Sequence, residues 1–103
     1  MFDGVDDYIA VNGLEYSSPL EEVTVCAWVK SDKSQQVIAS WDRSEYWRFG
    51  IGSDGEAGTV TWNTRASTID DMSGSSRVDD GRWHHLCVSY DSGSSEKRIY
   101  VDG

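Results

Sequence analysis

At 103 residues the chain has room for one domain, 1–103, near the lower limit for burying a self-sufficient core. Eighteen Asp and Glu against nine Lys and Arg give a formal charge of -9, so nucleic acid and anionic membrane surfaces are repelled over most of the protein. A chain that is 38% hydrophobic and 12% aromatic is too apolar for an acidic disordered segment, and no apolar run is long enough to insert in a membrane.

The N-terminus, Met1-Phe2-Asp3-Gly4, has neither the basic region nor the apolar stretch of a secretory signal. Asp3, Asp6 and Asp7 crowd one loop, where hard oxygen ligands suit calcium and where an ordinary soluble turn is the alternative. Apolar alternation predicts a first strand over residues 8–11. A second follows over 23–30, with Val23, Val25, Ala27 and Val29 on one face and Cys26 and Trp28 on the other, both faces being expected to be at least partly buried. Further strands are predicted at 36–41, 46–51, 59–64, 83–90 and 98–101, rich in Val, Ile, Thr, Trp and Tyr. Turn chemistry divides them: Asp32-Lys33-Ser34, Asp42-Arg43-Ser44, Ser53-Asp54-Gly55, Asp80-Gly81 and Asp91-Ser92-Gly93-Ser94-Ser95. The Ser/Gly stretches 73–76 and 92–95 are short enough to be hairpin connections. No stretch of ten residues has helical spacing, and the fold class is all-β.

Aromatic residues supply the main functional hint. Trp41, Tyr46, Trp47 and Trp62, with Arg48, Asn63 and Arg65, fall on three consecutive predicted strands or their ends. Flat rings flanked by amide and guanidinium groups suit sugar stacking and hydroxyl hydrogen bonds; core or interface packing is the alternative for Trp47 and Trp62. His84 and His85 are strand neighbours that point to opposite faces and cannot converge on one metal or substrate atom. One is expected to pack or hydrogen-bond within the sandwich and the other to face outward. Asp70-Asp71 and Asp79-Asp80 are adjacent pairs in predicted loops without a neighbouring nucleophile or base, so no catalytic residue is assigned.

Three segments carry a family resemblance. Phe2-Asp3-Gly4-Val5-Asp6-Asp7-Tyr8-Ile9 resembles the opening strand of laminin-G-like and pentraxin-like jelly rolls of the concanavalin A-like superfamily. Thr24-Val25-Cys26-Ala27-Trp28-Val29-Lys30 resembles their second conserved strand. Asp80-Gly81-Arg82-Trp83-His84-His85-Leu86-Cys87-Val88-Ser89-Tyr90-Asp91 followed by Arg98-Ile99-Tyr100-Val101-Asp102-Gly103 resembles their central hairpin. The resemblance implies an antiparallel two-sheet β-sandwich, a jelly roll, with one sheet's outer face as a shallow ligand surface. It implies a non-catalytic binding module for a glycan or a protein surface. The sandwich glycosidases of the superfamily carry carboxylates spaced like Glu-x-Asp-x-Glu on one strand, set for groups about 5 Å apart; no such strand is present, and the chain is not expected to be an enzyme.

The segment around Cys87 is similar to the pentraxin signature in which a cysteine of the early strand bridges to this one, which implies a Cys26–Cys87 disulfide. Such a bridge would contribute on the order of 4 kcal/mol in the chain-entropy account; two buried free thiols are the alternative. The superfamily often binds calcium, and Asp42 and Glu45 fall near the early ligands of a pentraxin-type double site, most of whose carboxylates come after the Asp-Gly hairpin. Family domains continue beyond that hairpin, so the jelly roll is expected to be incomplete, with unpaired edges covered by a second copy in a homodimer. A self-associating structural domain without a small-molecule ligand is therefore the alternative function. The resemblance favours an extracellular location.

Overall fold

The computed structural model describes residues 2–3, 5–13, 20–41, 47–65 and 69–103. Its strands are β1 (Glu22–Lys30), β2 (Gln36–Trp41), β3 (Trp47–Ile51), β4 (Thr59–Arg65), β5 (Ile69–Arg77), β6 (Trp83–Asp91) and β7 (Glu96–Val101). They form two antiparallel sheets, one ordered β1-β6-β7 and the other β2-β3-β4-β5, and the described residues contain no helix. The all-β sandwich expected from the alternation is the fold observed.

Side-chain period two decides what each strand buries. In β1 the smaller apolar residues Val23, Val25, Ala27 and Val29 point inward; in β6 they are answered by Leu86 and Val88, and in β7 by Ile99 and Val101. Phe49 and Ile51 of β3 and Val60 and Trp62 of β4 close the core from the second sheet, with Val78 filling it from the link between β5 and β6. Two polar side chains reach from one sheet to the other. Trp62 Nε1 donates to the Ser89 carbonyl at 3.1 Å, and Lys97 Nζ, on the inward side of β7, donates to the carbonyls of Trp62 (2.8 Å) and Asp70 (2.7 Å). Burial lowers the Lys97 pKa, and the nearby Asp70 carboxylate opposes that shift.

The β3–β4 connection folds back over the outer face of its own sheet. Gly52 N donates to Thr59 O at 2.9 Å, and Asn63 Nδ2 reaches the Ser53 carbonyl at 3.0 Å. Gly52 has a φ of +58°, and a Cβ there would fall on the Ser34 carbonyl oxygen, so both the conformation and the space require glycine.

Three expectations are corrected. Asp70-Asp71, expected in a loop, and residues 73–76, expected as a hairpin connection, lie within the strand β5. The open edge of β4 offers a full ladder of partners from Arg65↔Ile69 to Thr59↔Arg77, with a register shift between Thr59 and Thr61, and that pairing overrides the weak strand preference of Ser and Gly. Residues 8–11, expected as the opening strand, form none: Tyr8, Ile9 and Val11 are exposed, and alternation without a neighbouring ladder does not define a strand. The face of β1 that carries Cys26 and Trp28 is exposed and not partly buried.

Candidate ligand-binding face

The nine-position register of β1 with β6, and the register of β6 with β7, lay out the outer surface of the smaller sheet row by row. Lys30 lies beside Trp83, then Trp28 beside His85, then Cys26 beside Cys87 and Tyr100, then Thr24 beside Ser89 and Arg98. The last row, Glu22, Asp91 and Glu96, is acidic. Trp28, Trp83 and Tyr100 are 67%, 63% and 42% exposed, so one end of a flat sheet face presents three rings to solvent. Exposed rings grouped in this way mark a contact surface. The Trp28 and His85 rings have centroids 5.0 Å apart and are tilted by 47°, which fixes the imidazole against the indole.

A disulfide joins Cys26 and Cys87 in the middle of this face. The two residues are direct cross-strand partners with Cα atoms 4.1 Å apart, the close spacing typical of non-hydrogen-bonded pairs. Cys26 is exposed and Cys87 half-buried. The bridge therefore staples the two strands from outside, away from the core.

His84, one residue along from His85, turns to the opposite side, where its ring sits between two carboxylates. Nδ1 is 2.8 Å from Asp102 Oδ2 and Nε2 is 3.0 Å from Asp80 Oδ1. Asp102 also accepts the His85 N–H at 2.9 Å, and Asp80 accepts the Arg82 N–H at 3.0 Å. One imidazole thus locks together the Asp-Gly turn, the Trp-His-His strand start and the Val-Asp-Gly strand end. The hydrogen bond to Asp102, then that to Asp80, raises the His84 pKa, while His84 lowers those of both aspartates.

The sign of the pH dependence follows from these shifts. The His84 contribution is complete below about pH 6.5 and is lost as pH rises through its raised folded value; the aspartate contributions are present above about pH 3.8 and are lost as pH falls through their lowered values. Melting temperature measured across pH 3–9 is expected to peak between these limits. His84→Gln should flatten the alkaline limb, and an unchanged limb would contradict the clamp.

The residues proposed from sequence for sugar binding do not converge. Trp62 is 0% exposed and lies in the core, where a ring has no open face for a sugar, and Trp47 packs against it at 5.6 Å on the same inward side. Arg48 and Asn63, next to them in sequence, point to the other face, where the Arg48 guanidinium bonds Asp54. Trp41 is half-buried at the end of β2, Arg65 is exposed at the end of β4, and Tyr46, Asp42 and Glu45 lie outside the described residues. The sequence reading grouped neighbours that strand geometry separates.

The aromatic face has a signal in the sequence. Pairing Cys26 with Cys87 fixes the β1–β6 register, and that register places Trp28, His85 and Trp83 on the cysteines' side.

Asp3, Asp6 and Asp7 do come together, each with an oxygen within 4.8 Å of the others. Asp7 Oδ2 accepts the Asp3 N–H at 2.9 Å and Asp3 Oδ1 accepts the Val5 N–H at 2.8 Å, so part of their capacity is used in shaping the turn. The donor chemistry fits a hard divalent cation, and three exposed carboxylates fall short of the roughly six to eight oxygens calcium takes.

With a lectin-type sandwich, a cross-strand disulfide and an aromatic sheet face established, the comparisons place the chain. Residues 3–103 match the laminin-G family described as the concanavalin A-like lectin/glucanases superfamily, and the chain belongs to it. Among curated proteins, C-reactive protein 1.4 of Limulus polyphemus is 28% identical over 86 residues, covering 82% of this chain and 36% of that protein. The chain thus spans about a third of that relative's length. No solved structure gives a significant match.

Proposed function

We propose that the protein is a non-catalytic binding module whose ligand face is the outer surface of β1–β6–β7 and whose ligand is a neutral glycan. The observation that carries this reading is the exposure of Trp28, Trp83 and Tyr100 on one sheet face. Indole and phenol rings take the C–H face of a pyranose, while Lys30, Ser89, Thr24 and Arg98 in the same rows supply hydroxyl partners. The net charge of -9 disfavours sulfated or polyacidic glycans. Membership of a lectin-fold superfamily supports a binding role, although a fold alone does not select a ligand. The disulfide and the family together fit an extracellular setting. A calcium ion, where the superfamily's habit extends to this chain, would be held by Asp3, Asp6 and Asp7 with water completing the shell.

A glycan array provides the test. Binding to neutral glycans is expected for the wild-type protein and should fall about fivefold in Trp28→Ala and in Trp83→Ala, since each stacked ring contributes on the order of 1 kcal/mol. Both rings are solvent-exposed, so folding should be retained. Equal binding by wild type and both variants would refute the reading.

A second reading is favoured by a different observation. Phe2, Val5, Tyr8, Ile9 and Val11 are all exposed, and among the described residues β1, β7, β2 and β5 are open sheet edges. On this reading residues 8–11 add as a strand to an edge of a second copy, giving a homodimer. Light scattering should then report about 23 kDa, twice the 11.5 kDa chain. A clean monomer removes it.

A further inference from the structure

We propose that Cys26, Cys87 and His85 form a redox-gated site for a borderline-soft divalent metal ion of the zinc class, closed while the disulfide stands and opened by its reduction. The three ligand atoms already lie within 4.8 Å of one another, and His85 Nε2 is 3.9 Å from Cys87 Sγ. A tetrahedral zinc ion with bonds of about 2.3 Å to sulfur and 2.0 Å to nitrogen needs S···N near 3.5 Å and S···S near 3.8 Å. The nitrogen is therefore almost in place. The sulfurs must part from bonding distance to that separation, and they rise from directly opposed strand residues.

The surroundings suit such a site in three ways. His85 and Cys87 are two apart on β6 and share a face, with Cys26 across the ladder, so no backbone rearrangement is needed to gather them. Trp28 packs on the His85 ring and orients it. Cys26 is exposed, which admits both the reductant and the metal and leaves the fourth coordination position open to water or an added ligand. The inward residues of the same strands, Val25, Ala27, Leu86 and Val88, are on the other side of the sheet, so opening the bridge leaves the core packing untouched.

The chemistry balances with a dithiol as the two-electron reductant. One of its thiolates attacks the more exposed sulfur, Cys26 Sγ; the S–S bond breaks and its electron pair leaves on Cys87 Sγ, which takes up a proton. The second thiolate of the reductant resolves the mixed disulfide, releasing the Cys26 thiol and the oxidised, cyclic reductant. The metal ion then displaces one proton from each cysteine and binds two thiolates and the neutral His85 imidazole. Coordination re-ties β1 to β6, replacing one crosslink with another.

Cobalt(II) titration of the full chain tests the proposal independently of any glycan. After reduction with a phosphine and its removal under inert gas, one equivalent of cobalt should give thiolate-to-metal charge-transfer absorption that zinc abolishes, and the oxidised protein should give none. His85→Ala should weaken cobalt binding by about tenfold or more, and the Cys26→Ala/Cys87→Ala double variant should not give the band. Circular dichroism follows the fold in parallel, with a β-sheet spectrum expected for the reduced, metal-loaded chain. No absorption in the reduced protein, an affinity unchanged by His85→Ala, or a chain left unfolded with zinc present would each overturn the site.

Discussion

Replacing both cysteines, Cys26→Ala with Cys87→Ala, is expected to cost about 4 kcal/mol of stability in the chain-entropy account, because the bridge closes a loop of sequence separation 61. The location of the pair makes this an unusually clean case. The sulfurs sit on the outer face of the three-stranded sheet, so alanine leaves no core cavity and no buried thiol behind. The loss should arise almost wholly from the freed unfolded chain. Set against roughly 5–15 kcal/mol for a typical domain, a loss of this size is a large share of the total. Urea unfolding of the oxidised, reduced and doubly substituted proteins measures it. The reduced and substituted proteins should share a midpoint well below that of the oxidised one, and a midpoint indifferent to reduction would show that the bridge contributes little.

Trp62→Ala is expected to be about as severe, at roughly 3–5 kcal/mol, through a different mechanism. Trp62 is the largest fully buried side chain among the described residues, it reaches from one sheet to the other, and its removal opens a cavity beside Trp47 in the core cluster. It also leaves the Ser89 carbonyl without the indole donor. A melting temperature lower by on the order of 20 °C should result. Trp62→Phe keeps most of the volume and loses the hydrogen bond, so it should fall between wild type and Trp62→Ala. A small effect from Trp62→Ala would place the indole outside the core.

The disulfide and Trp62 show what the sequence disclosed and what it concealed. The disulfide was legible because the segment around Cys87 is similar to a signature in which the partner cysteine is specified. The strands at 23–30, 36–41, 59–64 and 83–90 were legible because alternation of branched and aromatic residues is strong there. β5 was hidden, since Asp70, Asp71, Ser73, Gly74 and Ser75 have the composition of a loop and become a strand only because β4 presents an unpaired edge. The role of Trp62 stayed ambiguous for a related reason: β4 alternates Val60 and Trp62 with Thr61 and Asn63, and all four are buried, one pair by the opposing sheet and the other beneath the folded-back 52–58 connection. Burial on both sides removes the contrast from which a face is read.

The candidate site was obscured by the same symmetry. Val25, Ala27 and Val29 on one side of β1 and Cys26 and Trp28 on the other are all apolar by type, and the local sign of which side meets water is confined to Glu22, Thr24 and Lys30 around them. Only the long-range Cys26–Cys87 register, together with a second sheet packed on the valine side, turns Trp28, Trp83 and Tyr100 outward. The His84 clamp was half visible. Strand alternation separated the two histidines and Asp80 is only four residues from His84, while Asp102 follows β7 and meets His84 only once β6 and β7 have paired.

The most direct measurement of the central claim, that ligand binding resides on the outer face of β1–β6–β7, is a nitrogen-15 NMR titration of the tryptophan indole groups with a neutral glycan. The Trp28 and Trp83 indole signals should shift in proportion to occupancy while the Trp62 signal stays fixed. Shifts confined to Trp41 or Trp47, with Trp28 and Trp83 unmoved, would place the ligand elsewhere and contradict the account.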